Sequence, residues 1–212
     1  MLAKVGLLTP HEAEALCSEL DNIMELVTKE DFAIEDDFED IHSKIEFMLT
    51  ERLGDVGKKI HTSRSRNDQV LTAMQLLLKD EITEIKELTK ALFNTWMSLA
   101  EKHKNDLLPG YTHLQVAMPS SFGLWFSAYA ESLVDDVILL NAAHTICDQN
   151  PLGSAAGYGS SFPIDRMHTT EALQFSTLKF NAVAAQMGRG KTERITASAL
   201  GSLAATLGRF SM

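Results

Sequence analysis

Two short stretches of the chain hold residue types that can bind or move charge. The first motif, residues 61–69, combines cationic, hydroxyl, amide and acidic side chains in the run Arg64, Ser65, Arg66, Asn67 and Asp68. It lies where a long helix is predicted to begin, with Ser65 or Asn67 as the N-cap. Arginines are unfavourable there because a helix start already carries about half a positive charge. A bound carboxylate or phosphate would resolve the conflict, since amide, hydroxyl and guanidinium donors would converge on it.

The arginines of the first motif also have an interpretation that needs no ligand. Both could pair with acidic side chains of the same chain, such as Asp36, Asp37 or Asp68. Spacing alone leaves the anion site and the internal ion pairs open as alternatives.

The second motif, residues 110–115, lies in the break between two predicted long helices. Thr112 and Gln115 offer neutral hydrogen-bonding groups, and His113 can carry a proton near neutral pH. The chain has seven histidines, most of which are expected to be inert, so His113 could equally be a surface or hydrogen-bonded loop residue.

Two glycine-containing stretches are excluded as sites. Residues 188–192 hint at a phosphate loop, but its first glycine is missing and no strand is predicted before it. Residues 157–161 lack the partners and the strand-to-helix turn of a serine nucleophile. We interpret them as a linker, part of a mobile connection over residues 150–163 that is rich in glycine, serine and alanine.

The elements that must position both motifs are predicted to be helices, and strand signals are nearly absent. A capping box of Thr9 and Glu12 opens a helix that reaches about Thr28. Apolar periodicity and breakers predict further helices ending near Arg52 and over about 67–103, 121–148, 165–187 and 193–212. The helix over 67–103 would be about 50 Å long. We therefore expect an all-α long-helix bundle, divided into regions 1–104 and 105–212.

Composition narrows the class of protein. The 212 residues carry a net charge of −10, and nucleic acid and anionic membranes repel an acidic surface. No stretch approaches 18 consecutive apolar residues, and the start of the chain lacks the apolar run of a signal peptide. The two cysteines are too few for a disulfide framework and fit a reducing cytoplasm. We expect a cytoplasmic protein that has neither nucleic acid nor membrane as its partner.

Taken together, the two motifs resemble the fumarase/aspartase superfamily, and within it the argininosuccinate lyase family. Residues 39–46 resemble the family segment EDxHxxIE, residues 65–68 its SRND signature, and residues 109–115 its PGYTHLQ signature. Ser63 departs from the pattern, because the family commonly has glycine before the run Arg-Ser-Arg-Asn-Asp. The second long helix is apolar on more than one side, which favours cover by another subunit.

The resemblance implies reversible β-elimination of argininosuccinate to arginine and fumarate, without a metal or organic cofactor. It implies that Ser65, Arg66 and Asn67 hold the succinyl carboxylates of this dicarboxylate substrate. Thr112 would hold a carboxylate, Gln115 would also bind substrate, and His113 would transfer a proton on the leaving-group side. Two alternatives stay open: a non-catalytic, crystallin-like structural protein of the same family, or another lyase of the superfamily such as adenylosuccinate lyase.

The resemblance covers about half of a family chain, so we expect a fragment. The family's third signature, with a serine implicated as the base and a substrate-binding lysine, would lie beyond Met212. The resemblance also implies a homotetramer whose sites are shared between subunits. A rigid helix of about 50 Å keeps its two ends apart, so we expect the first and second motifs to meet across subunits. The isolated 212-residue chain is expected to be inactive.

Overall fold

The computed structural model describes residues 1–212 and confirms the all-α class, since long helices dominate. Its helices are α1 Pro10–Thr28, α2 Ile41–Leu53, α3 Asp55–Lys58, α4 Arg66–Lys102, α5 Phe122–Cys147, α6 Arg166–Ala172, α7 Ala182–Met187 and α8 Lys191–Ser211, with a 3-10 turn at Lys59–His61. Its four strands are β1 Leu107–Thr112, β2 Gln115–Ser121, β3 Gln149–Asn150 and β4 Thr177–Leu178.

The chain forms two compact units. Unit 1 consists of Met1–Ala73 and Gln149–Met187, and unit 2 of Met74–Asp148 and Gly188–Met212. The first turns of α4 therefore belong to unit 1 and the rest of that helix to unit 2. The expected division of the chain into regions 1–104 and 105–212 stays a prediction.

Side-chain caps set the starts of the helices of unit 1. Thr9 and Glu12 form the predicted capping box at α1, and Pro10 occupies its first turn. Asp40 caps α2 by accepting from the amide of Ser43. The core packed between these helices and the start of the chain is made of Leu2, Leu8, Leu16, Ile23 and Leu49.

Unit 2 is built on α5, which packs against α8 and the part of α4 within this unit. Ser121 caps α5 by accepting from the amide of Leu124. Two groups of buried side chains lie along the helix: Ile82, Leu140, Ala143, Cys147 and Ala199 in one, and Trp96, Ala130 and Leu133 in the other. Apolar side chains also remain exposed on α5, including Leu124 and Ile138, which is 59% exposed.

The expectation that strands are nearly absent was wrong between the two long helices. β1 and β2 pair antiparallel as a hairpin with partners from Leu107–Ser121 to Thr112–Gln115, and a bulge falls at Gly110 and Tyr111. A short parallel pair joins β3 to β4. The hairpin was missed because its two-residue turn is His113-Leu114, which lacks the Asn-Gly or Asp-Gly signature of such turns.

The expectation of a mobile connection over residues 150–163 was wrong for its first part. Asn150 and Ser154 are fully buried, and Leu152 is nearly so. The Asn150 amide donates to the hydroxyls of Thr169 and Thr170, at 3.2 and 2.9 Å. This part of the segment therefore belongs to the core of unit 1.

The helix expected over 165–187 is also interrupted. The structure has α6, then β4, then α7, in place of one continuous helix. Gln174, after the end of α6, adopts a φ of +56°, which a helix interior does not allow.

No helix of the chain combines the length and apolar character that a membrane span requires.

Candidate functional site

The first motif forms the N-terminus of α4 in unit 1. Ser65 directly precedes the helix, and its hydroxyl accepts from the amide of Asn67 at 3.2 Å. Its own amide donates to Oδ1 of Asp68 at 2.9 Å. Of the two residues predicted as the cap, Ser65 occupies the position, and Asn67 is the second residue of the helix. The side chains of Ser65 and Asp68 each accept a hydrogen bond from a main-chain amide at the helix start, as in a capping box.

The guanidinium of Arg66 is surrounded by acceptors. Its Nε lies 3.2 Å from Oδ2 of Asp40, and its Nη1 lies 3.1 Å from Oε1 of Glu46. Nη1 also donates to Oε1 of Gln69 at 2.9 Å, and Nη2 donates to the Ser43 hydroxyl at 3.3 Å. The guanidinium of Arg66 is therefore held in a defined orientation by these contacts.

These contacts bear on the two interpretations of the arginines in the first motif. Arg66 does pair with acidic side chains, although neither Asp36 nor Asp37 is among its partners. The partners were missed because they lie at the cap of α2 and within that helix, at intervals of three residues along the sequence: Asp40, Ser43 and Glu46. That spacing places all three on one helix face, and this was the available sequence signal.

The carboxyl of Asp40 has its pKa set by opposing causes. Burial raises the pKa, while hydrogen bonds from the amide and hydroxyl of Ser43 and the charge of Arg66 lower it. The lowering causes prevail, so the pKa lies below its ordinary value and Asp40 stays ionised beside Arg66.

Asp68 ties the first motif to the buried segment of unit 1. Its carboxylate is fully buried, and Oδ2 accepts from the amides of Gly153 and Ala155 at 3.0 and 2.9 Å. Arg64 and Arg166 contribute positive charge nearby. Burial lowers the pKa of the Arg64 guanidinium, and the charge of Asp68 opposes that lowering.

Arg166 holds the same segment from its carbonyl side. Its Nε donates to the carbonyl of Leu152 at 2.8 Å, and its Nη2 donates to the carbonyl of Lys179 at 2.9 Å. Asp68 therefore binds the main-chain amides of Gly153 and Ala155, and Arg166 binds the main-chain carbonyl of Leu152.

The second motif forms the tip of the β1–β2 hairpin in unit 2. Thr112 ends β1, Gln115 begins β2, and the two residues pair across the ladder. His113 and Leu114 form the turn with φ values of +51° and +63°. Positive φ at both central residues is the geometry of a type I′ turn. All four residues are exposed, with Leu114 at 98%, so the imidazole is presented on a defined and accessible turn.

The structure therefore brings the proposed site residues together in two groups. Ser65, Arg66 and Asn67 share one helix start in unit 1, and Thr112, His113 and Gln115 share one hairpin tip in unit 2. The side chains that sequence reasoning missed are the ones that orient Arg66. The first group has the donors to bind an anion and the second has an exposed group for proton transfer.

Comparisons with known proteins identify the family of the chain. A lyase family model matches residues 1–212. Argininosuccinate lyases of Parabacteroides distasonis and Phocaeicola vulgatus are each 57% identical over 209 residues, covering 99% of this chain and 47% of the relative. The enzyme of Xylella fastidiosa is 44% identical over 208 residues, covering 98% and 47%. The chain thus spans about half the length of the curated relatives it matches.

Solved structures share the fold. An EDDS lyase variant with bound fumarate superimposes with a TM-score of 0.82 at 24% identity, covering 100% of this chain and 43% of that one. A Brucella melitensis fumarate lyase:delta crystallin bound to cobalt gives 0.81 at 19% identity, covering 99% and 50%. At such identities the likeness shows a common fold alone.

Proposed function

The chain belongs to the lyase family, and on that premise we propose that it is part of an argininosuccinate lyase. The reaction is the reversible β-elimination of argininosuccinate to arginine and fumarate, a step of arginine biosynthesis. The observation that carries the proposal is the 57% identity to argininosuccinate lyases over 99% of this chain. These relatives do not favour a crystallin-like structural role or adenylosuccinate lyase.

The elimination needs carboxylate binding and two proton transfers. A base removes a proton from the carbon next to a carboxylate, and the electron pair left there is delocalised into that carboxylate as an aci-carboxylate. The pair then forms the carbon–carbon double bond of fumarate as the carbon–nitrogen bond breaks. The departing nitrogen of arginine takes a proton, so atoms and charge balance. Donors that face the carboxylate stabilise the intermediate electrostatically.

The first motif binds the dicarboxylate in this proposal. Ser65, Arg66 and Asn67 hold the succinyl carboxylates, which is supported by the location of a hydroxyl, a guanidinium and a side-chain amide together at the start of α4. Arg66 contributes charge and fixed orientation, because Asp40 and Glu46 already hold its guanidinium. No metal or organic cofactor takes part.

The second motif handles the leaving group. His113 gives a proton to the departing nitrogen, while Thr112 binds a carboxylate and Gln115 also binds substrate. This role is supported by the exposure of the turn and by positive φ at His113 and Leu114, since unusual backbone geometry is often retained at functional positions.

We propose that the active form is a homotetramer in the cytoplasm, with sites shared between subunits. Support comes from the exposed apolar side chains of α5, such as Val134, Ile138 and Leu139, since contiguous apolar surface is typical of subunit contacts. The meeting of the first and second motifs across subunits stays a prediction. The acidic net charge disfavours nucleic acid or membrane as a partner.

A chimaera tests the proposed activity. The chain replaces the matching 209 residues of the Parabacteroides distasonis enzyme, and fumarate release from argininosuccinate is followed by its ultraviolet absorbance. We expect turnover within about tenfold of that enzyme. A folded, assembled chimaera that releases no fumarate, while the relative does, would contradict the proposal.

A further inference from the structure

One carboxylate oxygen in unit 1 serves two donors from different elements. Oε1 of Glu46, on α2, lies 2.8 Å from Nδ1 of His61 and 3.1 Å from Nη1 of Arg66. His61 ends the 3-10 turn and Arg66 begins α4. Glu46 therefore joins three elements at the first motif.

The three side chains are only partly accessible, which gives these contacts more weight than a surface ion pair. The exposed fractions are 28% for both Glu46 and Arg66 and 39% for His61. A free arginine side chain loses rotamer freedom when it becomes ordered. An arginine that its own protein has already ordered does not incur that cost again when it meets a carboxylate ligand.

The three side chains contact one another in the order His61, Glu46, Arg66. Arg66 lies next to Ser65 and Asn67 at the helix start, whereas Glu46 and His61 belong to the preceding elements. Glu46 contacts Arg66 directly, and His61 contacts Glu46 through the same oxygen. His61 therefore acts on Arg66 only through Glu46.

We propose that Glu46 and His61 are positioning residues for Arg66. Glu46 holds the guanidinium in the orientation that receives a substrate carboxylate, and the Nδ1 side of His61 holds Glu46. This inference rests on the proposed function, in which Arg66 binds the dicarboxylate. Neither positioning residue touches the substrate.

A positioning role and a merely structural role predict different measurements. An Arg66 side chain that no longer faces the substrate carboxylate binds the substrate more weakly, which raises KM. A structural role lowers the midpoint of unfolding without that selective change. Fumarate adds a second readout, because as a product it needs the same carboxylate contacts, and its inhibition constant should rise with KM.

Two variants of each residue, one that removes the hydrogen-bonding group and one that keeps it, are measured in the chimaera described above. Glu46→Ala removes the shared oxygen and is expected to raise KM and the fumarate inhibition constant about tenfold. Glu46→Gln keeps an oxygen at the same place, so both should stay within about threefold. His61→Leu should raise KM about threefold, while His61→Asn restores it because its amide donates near the Nδ1 position.

A matched control lies in the same unit. Glu19 on α1 is hydrogen-bonded to Arg52 on α2, far from the first motif in sequence. Glu19→Ala removes an arginine–carboxylate pair of the same kind and should leave KM and the fumarate constant unchanged. Circular dichroism and the assembly state identify folded variants. If Glu46→Ala does not fold, the pair His61→Leu and His61→Asn carries the test.

The outcomes separate two failures. A parent chimaera that forms no fumarate overturns the proposed function and this inference with it. An active parent whose Glu46→Ala or His61→Leu variants keep the parental KM and fumarate constant overturns the inference alone. Equal changes in the Glu19→Ala control, or a loss of kcat without a change in KM, also overturn it.

Discussion

The main-chain amide of Gly153 donates to the Oδ2 atom of Asp68 over 3.0 Å, although 85 residues separate the two in sequence. The same carboxylate accepts from the amides of Ala155 and Ser65. Each of these amides would otherwise lack a partner in a largely enclosed region. Asp68 thereby joins the start of α4 to the segment after β3 within unit 1.

Removing this carboxylate should cost much of the stability of unit 1. Asp68→Ala leaves the amides of Ser65, Gly153 and Ala155 without their acceptor, and a single unsatisfied buried group costs about 1–3 kcal/mol. We expect a loss of about 3 kcal/mol or more in the free energy of unfolding, measured by urea titration. Asp55→Ala is the control, because Asp55 is exposed and pairs only with Lys58 three residues on. Equal losses in the two variants would argue against this role for Asp68.

Ser63 provides a stabilising substitution. It has a φ of +60°, a left-handed conformation that is unfavourable for residues with a Cβ atom. Its hydroxyl accepts one 3.3 Å hydrogen bond from Ser160 at an exposed position. Ser63→Gly should raise the free energy of unfolding by about 0.5–1 kcal/mol. Ser63→Ala keeps the Cβ atom and loses only the hydroxyl, so it should bring no gain. A thermal midpoint that falls in Ser63→Gly would contradict the expected strain.

His113→Asn isolates the proposed proton transfer from the shape of the turn. Asparagine tolerates positive φ, so the hairpin tip should persist without an imidazole. In the active chimaera we expect kcat to fall roughly 100-fold or more, the usual contribution of a general acid. Helical content by circular dichroism should stay unchanged. An undiminished kcat would remove His113 from the mechanism.

The capping box of α1 should make stability depend on acid pH. The Lys59 ammonium that bonds Glu12, and then the amide of Thr9, lower the pKa of Glu12 from 4.5 to about 2. Because the folded-state pKa lies below the unfolded one, this contribution is complete above pH 4.5 and is lost as pH falls towards about 2.

The measurement compares Glu12→Gln with the parent across that pH range. The parent should have the higher urea midpoint near neutral pH, and the difference should shrink between pH 4.5 and about 2. Glu14→Gln alters an exposed residue of the same helix and is the control. A difference that stays constant down to pH 2 would show that the Glu12 charge does not contribute.

Local rules predicted the long helices because each carries its own start signal. The capping box at Thr9 and the start of α5 after Ser121 agree with the structure to within one residue. The all-α class follows from these helices and is confirmed. The assignment of Ser65, Arg66, Asn67, Thr112, His113 and Gln115 to a site stays a prediction.

The predictions that were wrong or incomplete concern features that depend on tertiary contacts. The sequence predicts a mobile connection over residues 150–163, but the amide of Gly153 donates to Asp68 and the carbonyl of Leu152 accepts from Arg166. The hairpin turn places Leu114 at positive φ, against its local preference. The acidic partners of Arg66 are Asp40, which caps α2, and Glu46 on α2, so a pattern within the first motif carries no information about them.

Recognition of residues 152–155 through main-chain atoms has a consequence for mutational tolerance. Asp68 and Arg166 bind amides and carbonyls that every amino acid except proline supplies in full. A saturation library should therefore reject proline at Gly153 and Ala155, where it deletes the donated hydrogen. Gly153 should tolerate fewer amino acids than Ala155, because a Cβ atom at Gly153 would lie 2.8 Å from Cγ of Arg166. At these two positions we therefore expect the path of the backbone to limit substitution more than the chemistry of the side chain.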